Sequence, residues 1–234
     1  LKDRIMGLEM CVKPTTFWGL MRVCLSKTEI RHLSFVCGTM HQRLVRKHRR
    51  PGMSWLEHHV LAFPNQNLSD PDLVRITQYF GGLGEDPYFV PISDDNPVVA
   101  LSRRADEQAP VFAESWHSDW SIKTHPPIGT CLYSLVIPPV GGDTSFANQQ
   151  LAVATMPRDF RPRLDGKIAL HSAAAAYGPD GTYGEKDQGS DRTMEILFSE
   201  SALETDRHAI INVHPENGEE TLFSTAGYIC AIEG

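Results

Sequence analysis

The sequence predicts a β-rich fold, an antiparallel β sandwich or jelly roll with helices packed on its outside. The chain has 234 residues, of which 41% are hydrophobic and 22% charged, so it can form one sizeable core. Segments with strand character outnumber helical ones after residue 90. Proline and glycine separate these segments, as is typical of sheet proteins with many turns.

The orderly elements begin after residue 54. The apolar run Val60–Phe63, closed by proline, is typical of a buried strand. A helix is predicted next, because Ser69 can cap its start and Pro71 suits its first turn. Its apolar positions recur at helical spacing, at Leu73, Ile76 and Phe80.

Two further strands are predicted at 97–101 and 128–137, the second ended by a pair of prolines. Asn148 can cap a short helix that runs through Met156. The segment 157–164 is predicted to form another helix.

In the last third of the chain, the sequence predicts strands before and after one variable loop. Residues 167–177 begin as a strand and continue into an alanine-rich stretch, and a loop rich in Gly and Asp runs to Ser190. Residues 207–214 and 221–224 predict a hairpin across Pro215–Gly218.

Residues 1–53 differ from the rest in charge, with eleven Lys and Arg against three acids, whereas the remainder has eleven against twenty-six. We treat 1–53 as an uncertain segment: a mispredicted or out-of-frame stretch, a real extension or an organelle-targeting sequence. The ordered domain is predicted at 54–234. The basic run Arg43–Arg50 could bind nucleic acid or an anionic membrane, but no reading motif accompanies it, so neither partner is expected.

No apolar run approaches the length of a membrane span and no secretory signal opens the chain, so a cytoplasmic protein is expected. The five cysteines form no CxxC pair, so free thiols are predicted.

The segment Trp116-His117-Ser118-Asp119-Trp120 contains the candidate metal-binding residues. On a strand, His117 and Asp119 would face the same way and could present a nitrogen and an oxygen to one metal ion. Such a set, completed by a distant histidine, leaves coordination positions open and suits non-haem Fe(II) in oxygenases. A surface hydrogen bond between the two side chains is the alternative.

The motif has a specific context: His125-Pro126-Pro127 follows it, and Pro138–Thr144 follows the next predicted strand. Together with Trp55–Gln66, Phe80–Gly84 and Arg207–Gly218, these motifs resemble the taurine catabolism dioxygenases, the TauD/TfdA family. The resemblance implies Fe(II)/2-oxoglutarate-dependent dioxygenases on a double-stranded β-helix, a cupin-like jelly roll with flanking helices.

The resemblance also implies residue roles. His117 and Asp119 match the first two ligands of the iron triad and are the implied catalytic residues. Thr144 matches the hydroxyl that helps to hold 2-oxoglutarate, and Trp116 matches a position in the substrate pocket. Ile122 stands where taurine-specific members have an aromatic residue, which does not favour taurine as the substrate.

The family's third iron ligand, a histidine followed by an arginine, has no match in this chain, so the domain is expected to be truncated at its C-terminal end. The implied activity is hydroxylation of a small organic substrate with O2 and 2-oxoglutarate, releasing succinate and CO2. The alternatives are a non-catalytic fragment or remnant of such an enzyme, and a β-domain that binds a partner.

Overall fold

The structure is a computed structural model that describes residues 3–11, 21–26, 52–138, 140, 142 and 144–234, with side chains from Trp55 onward. The described residues form two compact units. The first comprises those up to Glu107 together with those from Pro127 to Thr144. The second comprises Gln108–Pro126 and Ser145–Gly234.

The first unit is built on one mixed sheet. Its described strands are β1 (Asp3–Cys11), β2 (Met21–Ser26), β3 (Val60–Phe63), β4 (Gly82–Leu83), β5 (Pro91–Ser93), β6 (Asn96–Arg103) and β7 (Gly129–Ser134). Their order is β3-β2-β7-β1-β6-β5, with β4 beside β1. Strand β2 runs parallel to β3 and β7, and the other pairs are antiparallel.

Two helices accompany this sheet, α1 (Gly52–His58) and α2 (Asp70–Phe80). The predicted cap of α2 is confirmed as a capping box: the Ser69 hydroxyl accepts from the Asp72 N–H, and the Asp72 carboxylate accepts from the Ser69 N–H at 3.0 Å. Helix α2 buries Leu73 and Thr77, and the Phe80 ring packs edge-on against Trp55 at 4.8 Å.

Strand β7 lies inside the range predicted as 128–137 but ends at Ser134, before the prolines. Its Tyr133 is buried, and the phenol oxygen accepts from the Leu68 N–H at 3.1 Å and donates to the Gln66 carbonyl at 3.2 Å. These bonds tie the segment between β3 and α2 to the sheet.

The strands β1 and β2 were not predicted, because 1–53 shows no lasting periodicity. In the structure β1 lies between β7 and β6, with Leu8 opposite Cys131 and Ile5 opposite Leu101. Strand pairing depends on neighbours distant in sequence, so local pattern alone does not reveal it. The basic run Arg43–Arg50 lies outside the described residues.

The second unit contains β8 (Ile168–Ser172), β9 (Thr205–Ala209), β10 (Ile211–Val213), β11 (Glu220–Leu222), β12 (Ile229–Glu233), α3 (Gln149–Ala154) and α4 (Ala174–Tyr177). One antiparallel sheet has the order β12-β8-β9, and β10 pairs with β11. The hairpin is therefore confirmed, but its predicted first strand is split between two sheets. Asn148 caps α3 as predicted, accepting from the Leu151 N–H at 2.9 Å.

The second helix predicted at 157–164 is reduced to a 3-10 turn at Arg161–Arg163. Pro157 and Pro162 lack N–H donors, which disfavours a longer helix there. The described chain is rich in strands, as predicted. Among its helices, none combines the length and apolar character that crossing a membrane requires.

Candidate metal centre

The side chains of His117 and Asp119 converge in the second unit. His117 Nε2 lies 3.1 Å from Asp119 Oδ1, and the two side chains are 20% and 15% exposed. The predicted strand is wrong, because His117 lies in irregular chain and Asp119 begins a turn. A turn, rather than strand alternation, brings the nitrogen and the oxygen together.

The orientation of the His117 ring is fixed from its other side. Its Nδ1 lies 2.7 Å from the Ser115 carbonyl oxygen. A carbonyl can only accept, so Nδ1 carries the proton and Nε2 of the neutral ring keeps its lone pair. Metal-binding histidines in proteins are commonly held in this way. The donor pair therefore fits a divalent ion that accepts nitrogen and oxygen ligands, such as Fe(II).

The chain reverses directly after Asp119. Trp120 has a φ of +51°, a left-handed conformation that is costly for a bulky residue. Its side chain is only 3% exposed and lies 6.1 Å from the Tyr177 ring. Burial of the indole offsets the backbone strain, and Asp119 remains beside His117.

The turn between β11 and β12 packs against the other side of His117. The Thr225 hydroxyl donates to the Trp116 carbonyl at 3.4 Å and accepts from the Gly227 N–H at 3.2 Å. A Cβ atom at Gly227 would lie 3.4 Å from the Cβ of His117, so this approach is close. The Tyr228 ring meets the imidazole edge-on at 6.4 Å.

The two remaining predicted site residues, Trp116 and Thr144, belong to different units. The Trp116 side chain is 61% exposed and directly precedes His117. Thr144 belongs to the first unit, is exposed and lies in irregular chain. Gly142 has a φ of +73°, a left-handed conformation that glycine adopts readily. The roles of Trp116 and Thr144 stay predictions.

Within the described ranges, no three metal-binding side chains gather at one point. Three further histidines, His171, His208 and His214, lie in or directly after strands β8, β9 and β10. All three are buried, with exposures of 0%, 2% and 3%. His171 lies on β8, the middle strand of its sheet.

His171 and His208 form a buried aromatic cluster with Phe223. The two imidazoles are 5.0 Å apart, and the phenyl ring stacks on His171 at 5.3 Å. Burial and the neighbouring His208 lower the pKa of His171 to about 4, while Asp206 acts in the opposite direction. Burial also lowers the pKa of His208.

These pKa values predict acid sensitivity. The folded chain keeps His171 neutral to about pH 4, whereas the unfolded imidazole protonates near pH 6.5. The unfolded state binds more protons in that interval, so the free energy of unfolding should fall as pH drops from about 6.5 towards 4. Urea unfolding at several pH values in this range measures that fall. The free energy of unfolding should change less with pH in His171→Phe than in the wild type. Equal pH dependence of the wild type and His171→Phe would contradict the assignment.

A second set of contacts holds the chain that leads into the site. The Asp191 carboxylate accepts from the N–H groups of Gln108 and Ala109 at 2.7 and 2.8 Å. Arg192 donates to the Pro110 carbonyl at 3.1 Å and forms a two-point ion pair with Asp187 at 2.7 and 3.1 Å. Asp191 and Arg192, directly after the variable loop, therefore fix residues 108–110. Sequence reasoning missed this role because the partners are about 80 residues apart.

Residues 43–234 match the family described as taurine catabolism dioxygenase TauD, TfdA family. The chain belongs to this family. Family members are Fe(II)/2-oxoglutarate-dependent dioxygenases, as the sequence resemblance implied.

Two curated relatives are similar in sequence. An alkylsulfatase of Acinetobacter baylyi is 32% identical over 171 residues, covering 71% of this chain and 51% of that protein. An alpha-ketoglutarate-dependent sulfate ester dioxygenase of Pseudomonas putida is 33% identical over 113 residues, covering 47% and 36%. The chain thus spans about half the length of the first relative and less of the second.

A solved taurine dioxygenase from Burkholderia xenovorans has a similar fold. It superimposes with a TM-score of 0.52 at 22% identity, covering 85% of this chain and 62% of that one. At this identity the likeness concerns the fold alone.

Proposed function

We propose that the protein carrying this chain is an Fe(II)/2-oxoglutarate-dependent dioxygenase that hydroxylates a small organic substrate and releases succinate and CO2. The observation that supports this most directly is the 3.1 Å approach of His117 Nε2 to Asp119 Oδ1, with Nδ1 already bound to the Ser115 carbonyl. The proposed architecture is a double-stranded β-helix with flanking helices.

When bound, Fe(II) with 2-oxoglutarate supplies the activation of dioxygen. The protein's own residues hold these ligands and shield them from water. His117 and Asp119 contribute two donors and leave the remaining positions for other ligands. Thr144 is proposed to donate a hydrogen bond to the 2-oxoglutarate carboxylate, and Trp116 to pack against the substrate.

The substrate class follows from the relatives. The names of the two curated relatives refer to alkylsulfatase and sulfate ester dioxygenase activities. We therefore propose alkyl sulfate esters as the first substrates to test. Taurine serves as the comparison, because Ile122 replaces the aromatic residue of taurine-specific members.

Anaerobic titration of the full-length protein with Fe(II) and then 2-oxoglutarate tests the proposal. The wild-type protein should bind both, and His117→Ala should bind Fe(II) at least about tenfold more weakly. His58→Ala, an exposed histidine of the first unit, is the matched control and should bind normally. Equal Fe(II) affinity in wild type and His117→Ala would reject the metal role. Failure of the wild type to bind either ligand would favour a non-catalytic remnant.

A further inference from the structure

We propose that one face of the β8–β9 strand pair positions Asp119 for metal binding, with His171 acting as a positioning residue through Ser121. The inference rests on the proposed function, since it takes Asp119 as a metal ligand. The residues of this face are His171, Asp206 and His208, and together they are called the β8–β9 platform. No resemblance or comparison assigns them a role.

The register of the two strands creates the platform. His171 on β8 is opposite Asp206 on β9, and Ala169 is opposite His208. Residues directly opposite each other in a sheet face the same side, as do residues two apart along a strand. The three polar side chains therefore lie on one face, although Asp206 and His208 come more than thirty residues after His171.

Two members of the platform, His171 and Asp206, bind the turn that follows Asp119. His171 Nδ1 lies 2.9 Å from Ser121 Oγ, and both side chains are fully buried. Asp206 Oδ1 accepts from the Thr124 hydroxyl at 3.0 Å. The His208 ring meets the His171 ring edge-on at 5.0 Å. The turn is therefore held at Ser121 and at Thr124.

The tautomer of His171 makes its contact directional. Its Nε2 has no hydrogen-bond partner among the described residues. A buried N–H without an acceptor is costly, so the proton is best placed on Nδ1, which then donates to Ser121 Oγ. An apolar side chain of the same size would fill the space but leave the serine hydroxyl without this donor.

The two donors of the metal centre are consequently held by different parts of the unit. Ser115 and the turn at Thr225 hold His117, whereas the platform holds the turn that begins at Asp119. The Lys123 N–H donates to the Trp120 carbonyl at 3.0 Å and closes this turn. A shift at Ser121 is transmitted through Trp120 to the carboxylate two residues away, which alters the His117–Asp119 distance.

Four variants of the full-length protein test this inference. Ser121→Ala and His171→Phe remove the hydrogen bond, and the phenyl ring keeps the stacking with Phe223. His171→Asn can place an amide N–H where Nδ1 donates and is the conservative rescue. Val153→Ala is the matched control, because Val153 is a buried residue of the same unit that lies on α3 rather than on β8 or β9.

Anaerobic Co(II) binding is the first readout, and hydrogen exchange of a peptide covering 117–125, which needs no metal, is the second. Ser121→Ala and His171→Phe should bind Co(II) about tenfold more weakly and exchange faster in that peptide. His171→Asn should recover most of the affinity. Val153→Ala should match the wild type in both readouts.

The outcomes separate this inference from the proposed function. If His117→Ala loses Co(II) but Ser121→Ala and His171→Phe bind like the wild type, the metal site stands and the platform role is wrong. If Val153→Ala loses as much affinity as Ser121→Ala, the effect is general destabilisation and the inference also fails. If His117→Ala binds Co(II) as well as the wild type does, both the metal role and the platform's function are rejected.

Discussion

Replacing Asp119 with alanine in the full-length protein is expected to reduce iron-dependent succinate production by roughly a hundredfold or more. Loss of a residue that only supports a metal ligand costs about 10–100-fold, so loss of a ligand should cost at least as much. The carboxylate lies 3.1 Å from His117 Nε2, and removing it leaves the imidazole as the only described donor at that point.

Succinate should be measured with excess 2-oxoglutarate and an alkyl sulfate, with and without added Fe(II). Asp180→Ala, an exposed acid of the same unit, is the control and should retain wild-type activity. Circular dichroism should show that the Asp119 variant is folded. Succinate production that persists in a folded Asp119→Ala protein would reject Asp119 as a ligand.

Replacing Arg192 with methionine should lower the free energy of unfolding by about 3–5 kcal/mol. The side chains of Arg192 and Asp187 are only 4% and 7% exposed, so the change leaves a buried carboxylate without its cation. The variant also loses the bond to the Pro110 carbonyl and the contact over the Tyr183 ring at 5.0 Å. Urea unfolding monitored by tryptophan fluorescence measures the loss.

Two comparisons make this result specific. Arg104→Met breaks a pair whose members are 40% and 83% exposed, and should cost no more than about 1 kcal/mol. The double variant Asp187→Leu with Arg192→Met removes both charges and should be more stable than Arg192→Met alone. If Arg192→Met and Arg104→Met cost the same, the buried pair does not stabilise the loop as argued.

Local signals in the sequence were sufficient for several elements. The caps at Ser69 and Asn148 and the apolar run Val60–Phe63 were predicted and are confirmed, because capping and short buried strands depend on neighbouring residues. The strands β1 and β2 were missed, since their place depends on pairing with β7. Proline content reduced the helix at 157–164 to one turn.

The site was predicted only in part, because the residues that hold it are also distant in sequence. The spacing of His117 and Asp119 indicated that their side chains could meet, but the geometry is a turn with a left-handed Trp120 rather than a strand. The partners that hold this turn, His171 and Asp206, are about 50 and 80 residues further along. Only the folded register of β8 and β9 brings them to it.

The left-handed backbone at Trp120 also affects the order in which the protein loses its properties. Such a conformation costs about 1–2 kcal/mol and persists only while the surrounding packing enforces it. When acid or heat loosens that packing, relief of the backbone strain favours early relaxation of the peptide unit after Asp119. Iron retention would then decline while most strands are still paired, so ion release would serve as an early marker of damage.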